Sequence, residues 1–134
     1  MLQLPSNYFE NEYFSEDELK CKGTGELKLA TGFLGELVWL RQIFGRPMVP
    51  TSCCRSPEHN KNIGGHPKSL HLTENHSHLT DGTMAIDIAT GSEDYRQELI
   101  RLAREMGWSI GHGKGFLHLD RRIHLGYPRA EFDY

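Results

Sequence analysis

The chain has 134 residues, 37% hydrophobic and 25% charged, which suits one domain with one core. Its formal net charge of -3 excludes the strongly basic surface that nucleic acid or an anionic membrane selects, and no apolar run approaches the ~20 residues of a membrane span. The three cysteines, Cys21, Cys53 and Cys54, have no C-x-x-C spacing and make neither a disulfide framework nor a zinc knuckle.

The first stretch, "MLQLPSNYFENEYF", has neither the basic nor the apolar region of a signal peptide, so synthesis in the cytoplasm is expected. "FSEDEL" (14–19) starts a helix: Ser15 and Glu18 make a capping box, bracketed by Phe14 and Leu19 as a hydrophobic staple. "TGFLGELVWLRQIFG" (31–45) spaces Phe33, Leu34, Leu37, Leu40, Ile43 and Phe44 as the buried face of an amphipathic helix that Gly45 stops. "RPMVPTSCC" (46–54) reads as extended, and "SPEHNKNIGG" (56–65) holds about one helical turn. "TMAIDIAT" (83–90) alternates as a strand, with Met84, Ile86 and Ile88 on one face and Asp87 between alanines on the other. "SEDYRQELIRLAREMG" (92–107) is a helix capped by Ser92 and ended by Gly107, and residues 108–127 suit two or three small antiparallel strands. The expected architecture is a single α+β domain over 1–134: a small antiparallel sheet, helices mainly on one side, and a site in a cleft on the sheet.

Eight histidines, gathered between residues 59 and 124, are the first sign of chemistry. In "GFLHLD" a period of two puts His118 and Asp120 on one strand face, the usual pairing of an imidazole with an orienting carboxylate. Asp87, unpaired in a dry core, would cost several kcal/mol, so it is either partnered in a site or a solvated or capping aspartate on the open face of the strand. One loop histidine, Asp87 and His118 would offer nitrogen, oxygen and nitrogen to Zn2+ and leave a fourth tetrahedral position for water, the pattern of a catalytic site.

The segments "FSEDEL", "TSCCRSPEHN", "GGHPKSLH", "AIDI" and "FLHLD", in this order from about residue 9 to 127, resemble the zinc D-Ala-D-Ala carboxypeptidase superfamily of peptidoglycan peptidases, in particular its small phage and bacterial members, which include L-alanyl-D-glutamate endopeptidases. The resemblance implies a zinc metallopeptidase acting on the stem peptides of peptidoglycan, with a metal-activated water as nucleophile. It implies His71, Asp87 and His118 as the metal ligands. It also implies that Arg55 points toward the substrate, where a forked guanidinium can hold a carbonyl oxygen or carboxylate. Ser69 either binds in the site or caps the turn. The short phage-type resemblance, together with the N-terminus, leads to the expectation of an endolysin-like, phage-encoded monomer, made in a bacterial cytoplasm and released or delivered to the cell wall.

Three features depart from the family pattern. His71 and Asp87 are sixteen residues apart, more than the family spacing, so residues of about 72–83 read as an inserted flap carrying His76 and His78, the latter the runner-up ligand. "S-G-Y-R" is replaced by "SCCR". The acidic general base, commonly three residues before the last histidine ligand, is replaced by Gly115. Asp120, on the strand face of His118, and His112, across the hairpin, are the candidates for the missing proton-transfer role. The alternative reading is a non-catalytic, zinc-stabilised cell-wall-binding or phage structural module.

Overall fold

The computed structural model describes residues 11–75 and 77–134; the N-terminal stretch 1–10 and His76 lie outside the described residues. The chain forms α1 (Glu16–Leu19), α2 (Phe33–Phe44), β1 (Pro50–Ser52), α3 (Pro57–Asn62), β2 (Ala85–Ala89), α4 (Glu93–Glu105), β3 (Ser109–His112), β4 (Phe116–Asp120), a 3-10 turn (Arg122–Leu125) and β5 (Glu131–Asp133). The capping box of α1 is present in both directions, with Glu18 N donating to Ser15 Oγ (3.1 Å) and Ser15 N donating to Glu18 Oε1 (2.9 Å). Ser56 and Ser92 cap α3 and α4 in the same way, each accepting from the backbone N–H three residues on.

Helix α2 buries Phe33, Leu37, Leu40 and Phe44, while Ile43 turns outward at 55% exposure. Four residues at i, i+4, i+7 and i+11 already make the stripe that faces the core, and Ile43 falls outside its arc. Thr31 does not cap this helix. Its hydroxyl and N–H bond Asp81 of the 72–83 loop instead.

The five strands lie in the order β1-β2-β4-β3-β5. All neighbours are antiparallel except β3 and β5, which run parallel. The purely antiparallel expectation therefore needs correction. After β4 the chain reverses through the 3-10 turn and residues 126–130, passes round β3, and enters the edge in the direction of β3. The register fixes two faces. Ile86 and Ile88 of β2, Leu117 and Leu119 of β4 and Ile110 of β3 face the helices, where Trp108 meets Phe33 edge to face at 5.8 Å. Asp87, His118, Gly111 and Asp120 occupy the other face. This second face is also covered: Ala85 and Asp120 have no exposed surface, and Asp87 only 6%. The cover is the chain from β1 through α3 to residue 73. Arg55 N donates to His71 O and Thr73 N to Arg55 O (both 2.9 Å), a short parallel ladder laid over the sheet.

The 72–83 loop is tied down at both ends. Asn75, itself buried, donates to the carbonyls of Lys68 and Ser69 and accepts from His78 N. Thr83 Oγ1 donates to His71 O (2.8 Å). No helix among the described residues is long and apolar enough to cross a membrane.

Candidate metal centre

Asp87 and His118 are direct cross-strand partners on β2 and β4, and the covering ladder brings His71 down onto them. Asp87 Oδ1 lies 3.1 Å from His71 Nε2 and 3.1 Å from His118 Nδ1, and the two nitrogens are 3.2 Å apart. These three atoms form a nearly equilateral triangle. Tetrahedral zinc, with ligand distances of ~2.0–2.1 Å, spaces its ligand atoms by roughly 3.3 Å. The donor set and its spacing fit that ion.

Each ring is set by a second hydrogen bond. His71 Nδ1–H donates to the Cys53 carbonyl (2.7 Å), which leaves Nε2 to face the triangle. His118 does the reverse: Nε2–H donates to Asp120 Oδ2 (2.7 Å) and Nδ1 faces inward. The two imidazoles are thus held in opposite tautomers with their inward nitrogens converging.

Burial pushes the His71 pKa down, against the pull of the Asp87 carboxylate. Burial opposes charge on His118 as well, but hydrogen bonds and charge from Asp120 and Asp87 win and raise it. Burial acts against ionised Asp87, yet its bonds to His118 and His71 hold the carboxyl well below the usual range. Arg55 approaches the other oxygen of that carboxylate, NH2 to Oδ2 at 3.6 Å, while Nε donates to Ser52 Oγ and NH1 to Asn60 Oδ1. Among the described residues, Nε and one NH1 proton of Arg55 have hydrogen-bond partners, and NH2 makes only the ion-pair contact with Asp87.

Two expected residues stand elsewhere in role or place. His112 was a candidate because the hairpin brings β3 beside β4. The connection 113–115 pairs it with Leu117, so it lies on the helix-facing side of the sheet, away from His118, and bonds Glu131 (3.2 Å). Asp120 is on the correct face but fully buried. It holds His118 with Oδ2 and Arg122 with both oxygens, and these bonds outweigh burial to keep it ionised well below the carboxylate range. A carboxylate so occupied orients the ligand and is not placed to take a proton from water. Ser69 Oγ accepts from His71 N (3.1 Å), capping the turn that carries the ligand. The cysteine thiols are buried and none is among the ligand atoms that cluster in the trio; Cys54 Sγ donates to the Lys28 carbonyl.

A cavity of about 570 Å3 opens beside the trio, lined by His118 and Asp120 from the sheet, Ser69 and His78 from the loops, the ring of Phe132 from β5 and that of Tyr134 just after it. The β5 wall was not foreseen, because nothing in "RAEFDY" (129–134) alternates strongly. The available signal was Gly111: a Cβ there would meet Phe132 Cε2 at 2.7 Å and Tyr134 Cε2 at 2.8 Å, so a glycine is needed for the rings to cross β3.

Two histidines and a carboxylate that converge behind a cavity lined by one of them, His118, each ligand with its own outer partner, define a zinc-hydrolase type of centre. A family model described as Peptidase M15 matches residues 9–126, which include all three, and the chain belongs to that family of zinc-dependent peptidases acting on peptidoglycan-related peptides. No curated protein matches the chain. The match ends before β5, so the aromatic wall of the cavity lies outside the matched residues.

Proposed function

We propose that the protein hydrolyses a peptide bond in the stem peptide of bacterial peptidoglycan, as a carboxypeptidase or endopeptidase, and that it serves a phage or bacterial lytic process at the cell wall. The observation carrying this reading is the triangle of His71 Nε2, Asp87 Oδ1 and His118 Nδ1 at 3.1–3.2 Å beside an open cavity, within a chain of the M15 family. His71, Asp87 and His118 would hold zinc, which when bound polarises a carbonyl and acidifies water. Ser69 and Cys53 fix His71, and Asp120 fixes His118, so the ligand atoms stay in place as the substrate enters. The N–H donors of Arg55 that no described residue takes in a hydrogen bond supply a cationic fork for the scissile carbonyl as negative charge develops on its oxygen.

Incubation of the zinc-loaded protein with purified peptidoglycan, followed by mass spectrometry of the released fragments, tests the reading. Release of stem-peptide fragments, abolished in His71→Ala, is the expected result. The new chain ends identify the bond cut. Intact peptidoglycan with zinc stoichiometrically bound would favour the non-catalytic module.

A further inference from the structure

The acidic residue that the resemblance leads one to expect three positions before His118 is not there: Gly115 sits at φ +78° in the β3–β4 turn, with no described residue beyond its chain neighbours within 4 Å of where a Cβ would stand. Hydrolysis still requires a group that takes a proton from the attacking water. The cavity supplies a short set of titratable side chains, and most have another commitment. Asp120 is buried under His118 and Arg122. Lys68 is exposed, and a lysine ammonium donates hydrogen bonds and accepts none. Tyr134 is pushed up to about 12 by burial and by Asp87. The His66 Nδ1 lone pair accepts from Lys68 N (3.0 Å), so its other nitrogen carries the proton in the neutral ring and cannot take a second role as base.

His78 differs. Its Nδ1 lies 3.4 Å from the Tyr127 hydroxyl, and the two rings meet edge to face at 5.6 Å. A phenol oxygen accepts as well as donates; with Nδ1–H donating to it, the lone pair of Nε2 is free. The partners are 49 residues apart in sequence yet line the same cavity as His118. His78 comes from the 72–83 loop, inside the matched residues, and Tyr127 from just beyond them. An imidazole–phenol pair thus faces the cavity that His118 lines.

We propose that His78, oriented by Tyr127, is the general base of this peptidase. The inference rests on the hydrolytic reading above. The water O–H bond breaks, its proton passes to His78 Nε2, and its oxygen forms the new bond to the carbonyl carbon. As the C–N bond breaks, the same proton passes to the departing amine nitrogen. The titratable and charged groups that share the cavity with His78 are Tyr127, Tyr134, His66, Lys68, Arg122, Asp120 and His118.

The test compares zinc-loaded wild type, His78→Gln and Tyr127→Phe on the peptidoglycan fragment that the wild type releases, across pH. In His78→Gln we expect kcat to fall about 10²–10⁴-fold, with KM and zinc affinity little changed and the acid limb of the kcat/KM profile lost. Tyr127→Phe should lose less and shift the His78 imidazole titration, read by NMR on the zinc-loaded protein without substrate. Added imidazole should partly restore His78→Ala. Wild-type rate and pH profile in His78→Gln, with the wild type active, overturn this inference alone. An inactive wild type with zinc bound overturns the hydrolytic reading and this inference with it.

Discussion

Asp87 and His118 face each other across β2 and β4, with Oδ1 3.1 Å from Nδ1, so the backbone register of the sheet sets the distance between two ligands. Only His71 depends on a loop for its position. Removing the sheet carboxylate should therefore leave a histidine pair in place that cannot hold zinc tightly alone. Asp87→Ala is expected to weaken zinc by more than about 100-fold, above the range for loss of an outer partner, as measured by chelator competition.

Asp120 reaches the metal through His118. Asp120→Ala frees the ring to turn and leaves Arg122 without its carboxylate. Zinc affinity should fall about 10–100-fold, less than for Asp87→Ala. His112→Ala should leave zinc affinity and hydrolysis unchanged, since that ring lies on the other face of the sheet beside Glu131. Parallel chelator titrations of the two variants check both statements.

Arg55→Lys keeps the charge but loses the fork. An ammonium cannot bond Ser52, Asn60 and Asp87 and also present two donors to a carbonyl. Hydrolysis should drop about 10²–10³-fold in kcat, the range for loss of one oxyanion donor, with zinc content unchanged by metal analysis.

Gly111→Ala places a methyl where Phe132 and Tyr134 cross β3. The rings must move, so β5 loosens and the cavity loses one wall. Stability should fall by about 1–3 kcal/mol, as for overpacking elsewhere, read from denaturant melts. Amide exchange in 130–134 should rise with it.

Glu131 ties β5 to α4. Its bonds to Arg104, with further help from Arg129 and His112, lower its pKa from 4.5 to about 2. The depressed carboxyl adds stability that is present above pH 4.5 and is lost as pH falls toward 2. Arg104 is half exposed, so salt screens part of it. Glu131→Gln should flatten the acid side of the melting-temperature profile over that window and leave the neutral side shifted but parallel.

Local signals in the sequence carried over well where one side chain answers to its own neighbourhood. Ser15 with Glu18, Ser92, Gly45 and the alternation around Asp87 all describe elements found in place. Decisions that depend on what another segment does were not legible. Ile43 has the right spacing for the core, but α2 needs only the narrower stripe that meets α4. His112 has the right hairpin, but loop length decides the face and the alternation alone does not. The open side of β2 reads as half solvated in "AIDIA", yet the ladder through Arg55 and His71 closes it. Strand β5 is the clearest loss, since its pairing with β3 involves three residues and owes its place to a glycine twenty positions earlier.

The opposed tautomers of His71 and His118 bear on how an ion comes and goes. The lone pairs converge without a ring flip, so uptake is governed by access rather than by rearrangement. The cavity face of His118 is the approach that the described residues leave open. A peptide seated there stands in the ion's path. Bound substrate or inhibitor should therefore act as a stopper and slow the loss of zinc to a chelator, even where it touches neither the ion nor its ligands.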